Sequence, residues 1–276
     1  MKPLAMRDVL LEKIWQEMSL DSLIFFVSAD FGSPVLDKIR RDFPDRFINV
    51  GIAEQNLINI TAGLAIEGYK VFAYAIAPFI TMRCYEQIRV SLALLSEVRP
   101  MNVNLIGVGA GYSYVVSGPT HQCYEDITIM RALPNFQVLS PADHVTTSSL
   151  FEDCVTTNGL RYFRLDAQVQ PVLYTLDLPS TTDGFHFHQK GEKVCFIATG
   201  FMTHTAFKVA EEINKIGFKV GIIDIFNLTN FSKEGLKKVL ESYLAIVSFE
   251  EGFRGRGGLD SMLFEFIAES ELNLKT

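Results

Sequence analysis

Short, densely apolar runs alternate along this chain with segments whose apolar residues recur every three to four positions, and no other feature constrains the fold as tightly. Residues 23–28 (LIFFVS), 47–50, 71–75, 103–108, 136–139 and 162–165 have strand length and are rich in β-branched or aromatic side chains. Runs without polar alternation fit strands buried on both faces. Between them, Ser33-Pro34 signals a helix start. Leu57, Ile58, Thr61, Leu64 and Ala65 mark a helix closed by Gly68. A further helix runs through Ile88, Leu92 and Leu95, a short one lies around 127–132, and Ser140-Pro-Ala-Asp143 leads from a strand into another. This order predicts an α/β fold with a parallel, doubly wound sheet covered by helices on both faces.

The pattern breaks once. From 169 to 190, Pro171, Pro179, Ser180, Thr181, Thr182, Asp183 and Gly184 sustain no period, which predicts a linker between domains. His186 and His188 stand at strand spacing, but without a third ligand they read as part of an exposed connector rather than a metal pair. A second α/β unit follows. Its strands are expected at 194–198, 220–225 and 245–249, with helices marked by Ala206–Ile213, Leu236–Tyr243 and Leu259–Ile267. The expected division is 1–168, a linker at 169–190, and a smaller second domain at 191–276. Such a domain usually adds another strand and helix, so its C-terminus reads as short.

Composition narrows the function classes. A net charge of −7 without a Lys/Arg run argues against a nucleic-acid or membrane surface as the main partner. Cys84, Cys123, Cys154 and Cys195 lack metal or redox-motif spacing and read as reduced core thiols. With no apolar signal core near the start, a cytoplasmic setting is the expectation.

Motifs then carry the reading to chemistry. In order stand NVGIAEQN (49–56), AGLAIEGYKVFAYAIAPF (62–79), YEQIR (85–89), GPTHQCYED (118–126), ALPN (132–135) and SPAD (140–143). This series resembles the pyrimidine-binding domain of transketolases and 1-deoxyxylulose-5-phosphate synthases. IATG, IDIF and EEGFRGRGG, within 191–258, resemble the same family's C-terminal domain. The resemblance implies thiamine diphosphate as cofactor, which supplies the carbanion chemistry while the protein positions it and sets its protonation.

The resemblance also assigns roles. Glu54 matches the glutamate that contacts the ring nitrogen of the aminopyrimidine; taken alone it is an ordinary first-turn glutamate. Phe79 matches an aromatic that stacks on the pyrimidine, and Ile76 stands in place of a second aromatic, offering apolar contact without stacking. Among 22 phenylalanines most are core, so position alone singles this one out. His121 matches a histidine that faces the substrate oxygen being transformed. Asp30 and Gln87 are cofactor-side or interface positions, with helix capping and an exposed helix face as equal alternatives.

Three departures bear on substrate. Transketolases of sugar phosphates carry an acidic residue before GPTH, where this chain has Ser117. A phosphate-binding histidine corresponds to Gly109, and a phosphate-binding arginine to Ala167. Phosphate recognition favours bidentate arginine or clustered donors, so these losses point toward a modified or unphosphorylated sugar. Arg7 aligns with a retained contact; Arg83 and Arg164 are candidates to substitute, and Tyr112 and Tyr114 offer hydroxyls and flat faces.

The family's diphosphate site, a GDG…N segment holding Mg2+ (or Ca2+), has no counterpart. Thr182-Asp183-Gly184 is the nearest match and sits in the predicted linker. A separate N-terminal subunit is therefore expected to supply it, in a heterotetramer with two copies of each chain. The expected activity is transfer of a two-carbon ketol or acyl unit between sugar-like substrates. The alternatives are a 2-oxoacid dehydrogenase β subunit, which generally lacks GPTHQ, and a non-catalytic paralogue.

Overall fold

The computed structural model describes residues 2–174 and 180–276. The N-terminal lobe runs α1 (Met6–Met18), β1 (Ile24–Ser28), α2 (Pro34–Asp42), β2 (Phe47–Asn49), α3 (Glu54–Ile66), β3 (Lys70–Ile76), α4 (Ala77–Thr81) and α5 (Tyr85–Gln87), which continues as a π-helix over Ile88–Leu94. Then come β4 (Asn102–Val108), α6 (Asp126–Arg131), β5 (Phe136–Leu139), α7 (His144–Ser149), α8 (Phe151–Thr156) and β6 (Gly159–Leu165). The six strands form one sheet in the order β2-β1-β3-β4-β6-β5, every neighbouring pair parallel.

Local chemistry sets the boundaries. Ser33 caps α2 by accepting from the Val35 amide at 3.3 Å, with Pro34 in the first turn, where its missing N–H costs nothing. Asp143 caps α7, accepting from the Val145 and Thr146 amides at 3.0 and 2.9 Å. Along β3, Val71, Ala73 and Ala75 face one core and Phe72 and Tyr74 the other. A period of two with both sides apolar is what a sheet covered on both faces demands.

The C-terminal lobe comprises β7 (Phe185–Gln189), β8 (Val194–Ala198), α9 (Met202–Lys215), β9 (Gly221–Ile225), α10 (Lys233–Leu240), β10 (Ala245–Phe249) and α11 (Leu259–Glu269). Its sheet order is β10-β8-β9-β7, with β7 antiparallel to β9. The stretch read as a connector thus ends in an ordered strand: His186 lies opposite Asp224, and His188 packs 5.1 Å from Phe207. Burial pushes the His188 imidazole down to about 3. His186 and His188 therefore belong to a sheet edge, correcting the exposed-connector reading. Residues 175–179 of that stretch, Pro179 included, lie outside the described residues.

The lobes share one core. Leu57, Ile88, Met130 and Phe136 continue into Ile197, Ile225, Leu263 and Phe266 without a break. The edge strand β5 is covered by the chain leaving β9, through Ser140 N–H to Phe226 O (2.8 Å) and Leu228 N–H to Val138 O (2.9 Å). Because every strand of the large sheet points the same way, the loops after β1, β2, β3, β4 and β6 collect at one edge, where open parallel sheets place their sites.

Candidate active site

At that edge Asn49, the last residue of β2, accepts from the amides of Asp30 (3.1 Å) and Gly51 (3.0 Å) and donates from Nδ2 to the Asp30 carboxylate at 3.1 Å. Asp30 sits at φ +52°, a left-handed conformation that Asp tolerates through such local bonds. The loops after β1 and β2 are thereby tied together, and α3 starts at a fixed point. Glu54 occupies its first turn, where the helix dipole favours a carboxylate. Only 3% of it is exposed, and its Oε2 accepts from Arg83 Nη1 at 2.7 Å.

Arg83 makes a second contact. Its guanidinium carbon lies 4.3 Å from the centre of the Phe79 ring. Phe79 is held in α4, whose Pro78 fits the first turn and whose Thr81 hydroxyl donates to Ala77 O at 2.7 Å. A planar, nitrogen-rich group thus spans a buried carboxylate and an aromatic ring, at the mouth of a cleft of about 380 Å³ lined by Ile52, Gln55, Asn56 and Asn59. An aminopyrimidine needs the same two contacts, a carboxylate at its edge and an aromatic surface at its face, so the residues fit that group.

His121 completes the cluster. It follows the Gly118–Thr120 turn, its ring is 5.3 Å from Phe79 and 6.2 Å from Tyr114, and its Nδ1 is 2.9 Å from the Thr120 hydroxyl. Ser117 is exposed just before this turn. Ile76 ends β3 directly before α4. Gln87, on α5 against α3, has a buried Oε1 with no partner among the described residues. Beneath the cleft, Cys84 donates to Phe79 O, and burial pushes its thiol up to about 12, so it is a structural thiol and not a nucleophile.

Other candidates are engaged with other partners. Arg7, on α1, has its Nε 2.8 Å from Asp8, whose carboxylate also accepts from the Ser33 hydroxyl in the loop after β1 at 3.2 Å. Burial raises the phenols of Tyr74 and Tyr114, and Arg7 opposes the shift in both, which places all three together. Tyr112 turns toward the C-terminal lobe, its ring 4.8 Å from Tyr124. Arg164, a candidate to substitute for a phosphate contact, is only 4% exposed and binds Asp126 (3.0 Å) and Glu251 (3.1 Å). Burial alone would lower its pKa, but the two carboxylates together drive it above the ordinary guanidinium value. It is committed to the interior and does not substitute for the missing phosphate contact.

Two departures acquire a physical account. Gly109 has φ +88°, and a Cβ there would fall 1.8 Å from the Tyr114 ring, so Tyr114 fills the space a side chain at 109 would use. Ala167 uses its amide to reach Ser113 Oγ at 3.4 Å and leaves no side-chain donor. Asp166, beside it, is buried, and burial pushes its carboxyl up to about 6 despite the bond from the Gln168 amide. Motif reading missed Asp166, for which a carboxylate at a parallel strand's C-terminal end was the available signal.

A six-stranded parallel domain with this edge, followed by a smaller mixed-sheet domain, defines a pyrimidine-binding and C-terminal pair of the transketolase type. Residues 2–170 match the transketolase pyrimidine-binding domain and residues 185–276 the transketolase C-terminal domain. The chain belongs to the transketolase family. It is 29% identical over 229 residues to one subunit of the apulose-4-phosphate transketolase of Actinobacillus succinogenes, covering 83% of this chain and 72% of that protein. It is 30% identical over 246 residues to a putative transketolase C-terminal section of Methanocaldococcus jannaschii, covering 88% and 75%. Among solved structures it resembles a split gene transketolase described as an inactive beta4 tetramer, at 29% identity and TM-score 0.85 over 97% of this chain and 86% of that one. No helix among the described residues is long and apolar enough to cross a membrane.

Proposed function

We propose that this chain is the pyrimidine-binding subunit of a two-chain, thiamine diphosphate-dependent transketolase that moves a two-carbon ketol unit between sugar-like substrates. Glu54, buried beside Phe79 with a planar cation spanning the two, is the observation that carries the reading. When bound, thiamine diphosphate supplies the carbanion that accepts and passes on the ketol unit. Glu54 holds the proton at the ring nitrogen of the aminopyrimidine, and Phe79 with Ile76 fixes the ring's plane. Arg83, whose side chain is 44% exposed, is the group that yields its place. Gln87 Oε1 offers an unused acceptor, and Asp30 acts through Asn49 on the loop before Glu54. His121 hydrogen-bonds the substrate oxygen that changes charge.

The diphosphate and its Mg2+ fall to a partner chain. Beside the Glu54 cleft, sharing Asn59 with it, lies an apolar groove lined by Gly63, Ile66, Val90, Leu94 and Val98. Ile52 (78% exposed) and Val98 (81%) mark a surface of the kind a permanent partner covers. The beta-only relative described as inactive, and the relative named as one subunit of an apulose-4-phosphate transketolase, support the same division. The assembly we propose holds two copies of each chain. A reducing, cytoplasmic setting is consistent with four buried, unpaired thiols.

For the substrate, Arg7 is already paired with Asp8, Arg83 with Glu54 and Arg164 with two carboxylates, while Tyr114 stands near both Arg7 and Asp166. Ser117 beside His121 offers a hydroxyl without charge. Such a pocket favours hydroxyls over a phosphate dianion. Co-expression with a GDG…N chain, followed by a donor and acceptor screen with thiamine diphosphate and Mg2+, tests this. Cofactor-dependent transfer with the better efficiency for unphosphorylated or modified sugars is expected. Ordinary transketolase efficiency with xylulose 5-phosphate and ribose 5-phosphate would refute the substrate reading, and absence of any cofactor-dependent transfer would refute the activity.

A further inference from the structure

The loop that carries Tyr114, Ser117 and His121 is closed at its neck by two backbone bonds, Gly111 N–H to Cys123 O (2.7 Å) and Cys123 N–H to Gly111 O (3.0 Å). Glu251, from the C-terminal lobe, reaches this neck. Its Oε1 accepts from the Tyr112 amide at 3.0 Å, and its Oε2 from Arg164 Nη1 at 3.1 Å. Arg164 in turn donates from Nε to Asp126, which also accepts from the Tyr162 hydroxyl at 2.9 Å. The approach is so close that a Cβ at Gly111, itself at φ +59°, would lie 2.1 Å from the Glu251 carboxyl carbon. Phe253 adds an edge contact to Tyr124 just beyond the neck, with centroids 5.5 Å apart.

We infer that Glu251 is a positioning residue: the C-terminal lobe uses it to hold the neck of the catalytic loop, and through the neck it fixes where His121 stands. A buried carboxylate serves this better than an apolar contact because it accepts from loop backbone and buried arginine at once. Both partners are thereby held at defined distances instead of merely packed. The neck bonds place Tyr112 on the junction side and His121 on the cleft side, so a shift at 111–112 moves the whole loop. The catalytic consequence rests on the function proposed above; the mechanical one stands on the geometry alone.

Hydrogen exchange on the full chain, alone and with its diphosphate-binding partner, reads the mechanical claim. In Glu251→Ala the amides of Gly111, Tyr112 and Cys123 are expected to exchange at least about tenfold faster, while those of α3 and β8 keep their parent rates. In the assembled enzyme kcat is expected to fall about 10- to 100-fold, with half-saturating thiamine diphosphate within about twofold of the parent. Glu251→Gln keeps the volume and an acceptor for Tyr112, so a smaller change at the same amides is expected; it also serves if the alanine variant does not fold. Unchanged exchange at the neck overturns the inference, as does acceleration spread evenly over both lobes, which would make Glu251 a structural tie only. A parent enzyme without cofactor-dependent transfer would refute the proposed function, and the exchange pattern would still decide the role of Glu251.

Discussion

The same pairing, a buried carboxylate with an arginine, occurs twice at the edge of the large sheet and does opposite things. At the cleft, Glu54 has one partner, Arg83, whose side chain is 44% exposed. At the lobe junction, Arg164 is 4% exposed and bridges Asp126 and Glu251. A pair with one arm in water gains little and is readily exchanged for another partner. A pair sealed on all sides is costly to break, because removing either member strands the other's charge. Burial of the acid alone therefore does not separate site from scaffold. The freedom of its cation does.

Breaking the sealed pair is expected to give the largest effect on folding. Arg164→Met leaves Asp126 and Glu251 facing each other without a cation and is expected to cost about 3–5 kcal/mol, read from the shift in denaturant midpoint. If it costs less than Arg83→Ala, the contrast drawn between the two pairs is wrong.

A second buried acid at the junction sharpens the contrast through pH. Asp224 accepts from Tyr174 (2.6 Å) and Thr203 (3.0 Å), and burial pushes its carboxyl up to about 7. The folded state thus holds a proton that the unfolded chain has already released. The stability Asp224 contributes is present below the ordinary carboxylate range and lost as pH rises from about 4 to 7, by up to a few kcal/mol. Asp224→Asn removes that loss, so the variant is expected to gain on the parent as pH rises. The shift of His188 acts with the opposite sign, so the difference between the two proteins is the quantity to follow. A difference flat from pH 4 to 8 would count against a protonated Asp224.

The smallest effect is expected at the open pair. Arg83→Ala should change stability by less than about 1 kcal/mol, since its ion pair is half in water. It should also tighten thiamine diphosphate binding to the assembled enzyme by a few-fold at most, measured calorimetrically. A large loss of affinity would mean that Arg83 holds the cofactor instead of yielding to it.

The two regions also differ in how far the sequence disclosed them. Every strand of the parallel sheet showed at least part of its length as an apolar run, because strands covered on both faces carry few polar residues; β2, half-buried at the edge, stood out through Phe47 and Ile48 alone. β7 did not: two histidines, an antiparallel edge position and neighbouring Pro and Gly residues gave it the composition of a connector. α4 was missed because Pro78 masks a helix that can begin on it, and the π-helix because its apolar spacing matches an α-helix as well. Glu54, Phe79 and His121 were singled out only by the order of motifs around them, and the fold brings all three to one edge. The Arg164 cluster was invisible, since its members lie 38 and 87 residues apart and only the domain packing brings them together. Glu251 sat in plain sight within EEGFRGRGG, but nothing local distinguishes it from Glu250, whose carboxylate instead accepts from the Leu259 and Asp260 amides at the start of α11.

The central claim, that Glu54 governs the protonation of a bound aminopyrimidine, is tested most directly by the exchange rate of the C2 proton of thiamine diphosphate. That rate can be followed by NMR in the enzyme assembled with its diphosphate-binding chain. Glu54→Gln is expected to keep the cofactor bound while slowing the exchange by about 10²- to 10⁴-fold. An unchanged rate with the cofactor bound would contradict the role assigned to Glu54.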